Sequence, residues 1–460
     1  MTQSATLEKG SLPLLERIFS NVGLFLFIAA VGLIVYSDDI QVTSSGIEPP
    51  TIYSIKFAGL DILDYIAVIL VTVTAIAVFL RRQIVISSFH PYLFGIFCVY
   101  AYAAIVGFIY SFVYDYKILQ VLQDFQQIIY MLGFFFVAFY LLDTKRKWQV
   151  FVWALLFFFC AKNFIIVSRV FSGDIKAFGD FTFRSTQSSD NMIFPIMFFP
   201  ALFFMMRKRA SIVMKAVLFI TSLVFFAHTL LGVGRTLYVI YPVGFVMAFF
   251  EFNRGEKIRY LTGFVLVFTV LIIMLSTFFP RFLEYAFGYR ALSIFDWAIS
   301  GDRSNATRTL EFLNMTHRLL DQGAFLQGMG LGSWWDDRFY HLLPDWGSGF
   351  TFKSRYYFGH LYFVTQLLKL GLVATVIYWF CIFKMLGLAH RAGASLDWRD
   401  KNKPLVLGIY IGLVAAFMMS SDFVRLFLFY GIGLGVVASY HTYFQAPLIN
   451  SRRENALTSV

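Results

Sequence analysis

Charge is scarce in this sequence: Asp, Glu, Lys and Arg make up 14% of the 460 residues, where a soluble domain carries roughly 25%. That shortage excludes an ordinary water-soluble fold. Cysteine is nearly absent, and Cys98, Cys160 and Cys381 all lie inside apolar blocks, so no disulfide framework or thiolate metal site is expected. The chain has no H-E-x-x-H, no G-x-S-x-G, no Walker lysine loop and no D-x-D pair. Zincin, serine-elbow, P-loop and metal-nucleotide chemistries therefore lose their usual residues.

What is present is apolar. Hydrophobic residues make up 59% of the chain, and they arrive in blocks of about twenty, the length needed to cross ~30 Å of hydrocarbon as a helix. We expect an all-α polytopic membrane protein, a single integral membrane domain over 1–460 with about twelve transmembrane helices. These fall near 18–36, 61–80, 91–112, 119–142, 148–171, 187–206, 211–231, 235–250, 259–279, 360–384, 404–420 and 423–444. The first stretch, from Ile18, exceeds a signal-peptide core and lacks a small-residue cleavage site, so it reads as a retained span.

Beginning inside, the inner segments hold twenty-one basic residues against six in the five short outer connections, which places both termini in the cytoplasm. Residues 280–359, between the ninth and tenth spans, form one long outward loop with short helices. A helix is expected from about Asn305 to Leu320, with Leu310, Leu313, His317 and Leu320 on one face, stopping near Gly323. Gly328, Gly330 and Gly332 read as a turn, and an aromatic stretch that includes Trp334 and Trp335 follows.

Charges within spans are costly and default to functional hypotheses. Lys162 and Arg169 are two helical turns apart on one face of the fifth span. Lys162 lies deep enough to need a polar cavity or a partner, whereas Arg169 either serves a site or snorkels to headgroups. Lys369 is the third such cation. Arg235 begins the eighth span after "LLGVG", where a guanidinium beside free backbone N–H groups suits a phosphate; an interfacial anchor is the alternative. Arg184 in "FRSTQSSDN" occupies a comparable place before the sixth span. Arg308 faces Glu311 at i+3, so it is either a site residue or half of a surface pair. His360 opens the tenth span as a candidate base or a structural histidine, with Val364, Leu367, Gly371 and Ala374 following down one helical face.

"RTLEFLNMTHRLLDQGAFLQGMGLGSWW" followed by "GHLYFVTQLLKLGLVAT" resembles the characteristic region of the O-antigen polymerase and ligase superfamily of bacterial envelope glycosyltransferases. The shared features are an arginine, a short helix, "GxGxG" and a late histidine. "FRSTQSSDNMIFP" and "GVGRTLYVIYPVG" resemble the family's two earlier outward arginine sites, and the likeness covers roughly the last 280 residues. His360 with Gly371 eleven residues on resembles the ligase motif, but Leu361 and Ala374 depart from it. Arg290 with Gly301 fits an arginine-glycine spacing described for polymerases.

The resemblance implies a GT-C-like bundle in the bacterial cytoplasmic membrane, with an undecaprenyl-diphosphate-linked glycan as donor and neither cofactor nor metal at an outward-facing site. Arg235 and Arg308 would hold the diphosphate, with Arg184, Arg169, Lys162, Arg290 and Arg303 as further candidates, and His360 would orient or deprotonate the acceptor hydroxyl. Trp334 and Trp335 would stack on sugar rings, unless they belong to an aromatic membrane belt. The expected partners are that glycan, its acceptor, membrane lipids and a chain-length regulator or flippase, with no nucleic acid. Two other readings stay open. One is a polyprenyl-monophosphate-sugar transferase using Asp38 and Asp39 in "YSDDI"; the other is a transporter or flippase for lipid-linked glycans.

Overall fold

The computed structural model describes residues 14–36, 56–57, 60–81, 84–114, 116–172, 190–205, 211–231, 235–252, 254–278, 303–340, 356, 362–396, 402–419 and 423–445. These are almost entirely helical. In chain order the helices are α1 (Leu14–Tyr36), α2 (Ile62–Arg81), α3 (His90–Val113), α4 (Ile118–Leu141), α5 (Lys145–Ser172), α6 (Asp190–Met205) and α7 (Ile212–Leu231). They continue with α8 (Arg235–Glu251), α9 (Arg254–Phe278), α10 (Arg303–Asp321), α11 (Tyr362–Ala394), α12 (Lys403–Met419) and α13 (Phe423–Tyr440), and a π turn, His441–Gln445, ends the last. A two-residue antiparallel pair, Lys56–Phe57 against Leu60–Asp61, leads into α2.

Each of the twelve apolar blocks coincides with a helix, and α10 lies where the loop helix is expected. Several helices outrun their apolar windows at basic ends: α1, α5 and α9 start early, and α11 continues ten residues past its expected end, to Ala394. Among the described residues, six helices are long and apolar enough to cross a membrane: α1 to α4, α5 over Lys145–Ile165, and α11. Shorter apolar helices are Ile196–Met205, Ile212–Leu223, Tyr241–Glu251 and Lys403–Ala415. This is the composition of an all-α membrane protein.

Burial sorts the helices. Residues 428–440 of α13 are buried on every face, as are nearly all of 402–415 in and before α12, the pattern of helices enclosed by other helices. Small residues allow the close approach. Gly431 of α13 lies against the backbone of Met131 in α4, and Gly408 of α12 lies against the backbone at Pro200 in α6; a side chain at either position would separate the pair. By contrast α2, α3 and α9 expose apolar faces such as Val68, Phe94, Phe112 and Leu266, as helices bordering lipid do. At one end of the bundle Glu16 accepts from Arg81 at 2.9 Å, and Asp143 pairs with Arg81 and, at 2.9 Å, with Lys147. That cluster joins α1, α2 and α5.

Candidate functional site: a re-entrant segment at a broken helix

α10 turns Glu311, Asn314, Met315, Arg318 and Leu319 inward. Of the apolar face expected from sequence, Leu310 and Leu313 are half-buried, while His317 and Leu320 are exposed. The helix stops where expected. Gly323 has a left-handed backbone, φ 59°, its N–H donates to Leu320 O at 3.0 Å, and the Ala324 N–H donates to Leu319 O at 2.9 Å. This is a Schellman ending, which satisfies carbonyls the last turn would otherwise leave orphaned.

The chain then does what the sequence did not suggest. Gly328, Gly330 and Gly332 form no surface turn; they are buried, with φ of 76°, 80° and 77°, and they carry the segment in among α3, α4 and α11. There α11 is interrupted. Gly371 has φ 75° and ψ 171°, so the helix breaks within its apolar run. The expected face of Val364, Leu367, Gly371 and Ala374 is interrupted at Gly371, where the backbone leaves the helix, though all four residues are buried; His360 lies outside the described residues.

A broken helix exposes carbonyls on one side and N–H groups on the other, and in hydrocarbon these need protein partners. The re-entrant segment supplies both. Met329 N–H donates to Leu368 O at 2.8 Å and Gly330 N–H to Lys369 O at 2.9 Å. In return Leu372 N–H donates to Phe325 O at 2.9 Å and Val373 N–H to Leu326 O at 3.3 Å. Leu331 N–H reaches Ala103 O of α3 at 2.9 Å. The fit is backbone on backbone: a Cβ at Gly371 would overlap Gly328, and one at Gly330 would overlap Gly107.

A buried ion pair lies beneath this junction. Asp124 of α4 accepts from Lys369 Nζ at 2.6 Å and from the Gly332 N–H at 2.7 Å, both on Oδ2. Gln366 Nε2 donates to Tyr100 Oη at 2.7 Å. Asp124 Oδ1 and Gln366 Oε1 are buried with no hydrogen-bond partner among the described residues. Both residues line a cavity of about 10 Å³ with Gln127, Thr365 and Leu331, a volume near that of one water.

Above the junction, α10 and residues 334–340 form an aromatic and cationic wall. The Arg318 guanidinium lies 3.7 Å from the Trp334 ring centre and 3.6 Å from Asp336, which also holds Arg338 at 2.7 Å. Trp335 is stacked on Tyr356 at 4.6 Å and paired with it through two backbone hydrogen bonds. Asn314 holds Tyr340 by both its N–H and its carbonyl, at 2.9 and 2.8 Å. Arg318 Nε and the Tyr116 hydroxyl are buried and lack hydrogen-bond partners among the described residues. Burial lowers the pKa of Arg318, partly offset by Tyr116 and Asp336, and burial raises that of Tyr116, partly offset by Arg318. Burial thus keeps Tyr116 a neutral hydroxyl.

The sequence candidates divide as follows. Trp334 and Trp335 belong to the wall, and Arg308 is half-buried on the helix that carries Arg318. Lys162 is buried elsewhere, its Nζ 3.0 Å from Val35 O at the end of α1. Arg169 lies in α5, Arg235 opens α8 and Arg303 opens α10, but their side chains fall outside the described residues, as do His360, Arg184 and Arg290 altogether. Asp38 and Asp39 lie outside them too. Asp124 and Arg318 do not stand out from the sequence, although a lone carboxylate nearly two turns into a span is a signal of the same kind as Lys369. Among the described residues no three His, Cys, Asp or Glu side chains gather as a metal would require. Comparison of the chain with protein families, curated proteins and solved structures finds no match.

Proposed function

We propose that this protein is a membrane-embedded, metal-independent, inverting glycosyltransferase that polymerises undecaprenyl-diphosphate-linked oligosaccharide repeat units. In this reading twelve spans, with both termini inside, present the site on the outer face of the bacterial cytoplasmic membrane. The observation that carries it is a pair of buried donors with no hydrogen-bond partner among the described residues: Arg318 Nε, against the Trp334 face on the helix that also bears Arg308, and the Tyr116 hydroxyl, which interacts electrostatically with Arg318. A cationic, partly desolvated donor set next to an aromatic plane suits a diphosphate joined to a sugar.

The acceptor hydroxyl oxygen bonds to the anomeric carbon from the side opposite the diphosphate. The bond from that carbon to the phosphate oxygen breaks, its electron pair stays on the diphosphate, and the hydroxyl proton passes to His360. Arg308 and Arg235 stabilise the charge on the leaving group. Electrostatic help of this kind is worth about 10²–10³ in rate per donor removed.

Purified protein given undecaprenyl-diphosphate repeat units alone should form a ladder of products, and Arg308→Ala should slow it by about 10²–10³-fold. Product that appears only when a lipid A-core acceptor is added identifies a ligase. A folded Arg308→Ala protein with unchanged rate overturns the reading.

A second reading draws on the broken α11 and the segment seated in it, since interrupted helices with buried ions also build the central sites of transporters. Movement of a lipid-linked glycan across vesicles with no new glycosidic bond would favour that carrier.

A further inference from the structure

A second cavity lies away from the re-entrant junction. It is a groove of about 440 Å³ between the end of α6, the start of α7, α8 and the start of α9, within the size range of ligand sites. Phe198, Phe245, Phe264 and Phe268 make it apolar, and Ile212 and Phe219 on its rim are 83% and 41% exposed. α6 ends, α7 begins, α8 ends and α9 begins at this end of the bundle, which carries Lys215, Arg254, Lys257 and Arg259.

Two polar groups interrupt the apolar lining on one face of α7. Lys215, in the first turn, lines the groove and has no carboxylate partner among the described residues. Ser222 is seven residues deeper, two turns on and so on the same face, about 10 Å further along the axis. Its side chain is 7% exposed, it lines the groove, and its Oγ lacks a hydrogen-bond partner among the described residues. A helical serine ordinarily satisfies itself on the preceding turn. A hydroxyl left unpaired in an apolar groove points to an acceptor brought by a ligand.

We propose that this groove holds one anionic glycerophospholipid, with its phosphate on Lys215, an ester carbonyl accepting from Ser222 Oγ and an acyl chain along the phenylalanines. The order of groups selects the occupant. A cation at the rim, a single donor some way inward and an apolar floor beyond match a phosphate, an ester and a hydrocarbon chain in sequence. A polyprenyl phosphate offers the first and third but no acceptor between them. The basic residues at this end add attraction for an anionic headgroup. This site stands independently of the glycosyltransferase reading, because it lies elsewhere in the bundle and requires no bond chemistry.

The test is native mass spectrometry of the full chain in mild detergent, titrated separately with phosphatidylglycerol, phosphatidylcholine and undecaprenyl phosphate. Wild type should retain one phosphatidylglycerol in preference to the other two. Lys215→Ala should lower the preference for phosphatidylglycerol over phosphatidylcholine about fivefold. Ser222→Ala should weaken retention of both phospholipids to a similar degree, about fivefold. Gly263→Phe, which fills the groove, should abolish retention; if it fails to fold, the two alanine variants still decide. Equal retention of phosphatidylglycerol and phosphatidylcholine by wild type, or unaltered retention in both alanine variants, overturns the site. Preferential retention of undecaprenyl phosphate overturns its occupant.

Discussion

Lys162 and Lys369 are both buried cations inside apolar helices, and their surroundings give them different work. Lys162 runs from α5 to the carbonyl of Val35, one of the last acceptors of α1, so it finishes a helix end as a basic residue near a C-terminus commonly does. Lys369 meets the carboxylate of Asp124, which also receives the Gly332 N–H, so one oxygen binds α4, α11 and the re-entrant segment together. A lysine in a span therefore has no single meaning. The first closes a local gap, and the second joins three parts of the chain distant in sequence.

The sharpest way to break this contrast is Asp124→Ala. It strands Lys369 in a buried place and should cost about 3–5 kcal/mol, read as a lower unfolding midpoint in detergent. Adding Lys369→Met should restore most of that loss, because an apolar pair needs no mutual neutralisation; a double variant as unstable as the single one would refute the pairing. Gly371→Ala is next. It places a Cβ against Gly328 in a left-handed backbone, and about 1–3 kcal/mol is expected. Hydrogen exchange should then rise at the Met329 and Gly330 amides, which donate across the break. Lys162→Met should matter least, about 1 kcal/mol for each hydrogen bond lost, that to the Val35 carbonyl among them. An effect as large as that of Asp124→Ala would place Lys162 in a network comparable to that of Lys369.

The helices were legible because apolar blocks of helical length leave a chain in lipid few other solutions, and α10 was legible from its pattern and the stop at Gly323. The re-entrant segment was not. A run of alternating glycines looks the same whether it turns at a surface or threads between helices, and the difference lies in partners some forty residues away. The break at Gly371 was hidden for a related reason: one glycine in an apolar stretch reads as a small residue for close packing, and no proline marks the interruption. Arg318 escaped notice because its importance comes from Trp334 and Asp336 folding back over it. Arg308 and the two tryptophans stood out in the sequence because they fall in the stretch that carries the family resemblance.

The exchange of backbone hydrogen bonds at Gly371 also constrains how the chain is made. The acceptors for Met329 and Gly330 are the carbonyls of residues 368 and 369, so the glycine segment emerges from the ribosome about forty residues before its partners. At roughly 5–20 residues per second that wait lasts about two to eight seconds. During it, α3 and α4 already offer Ala103 and Asp124 as provisional berths. Biogenesis of this protein thus includes a docking step on a segment that was synthesised earlier.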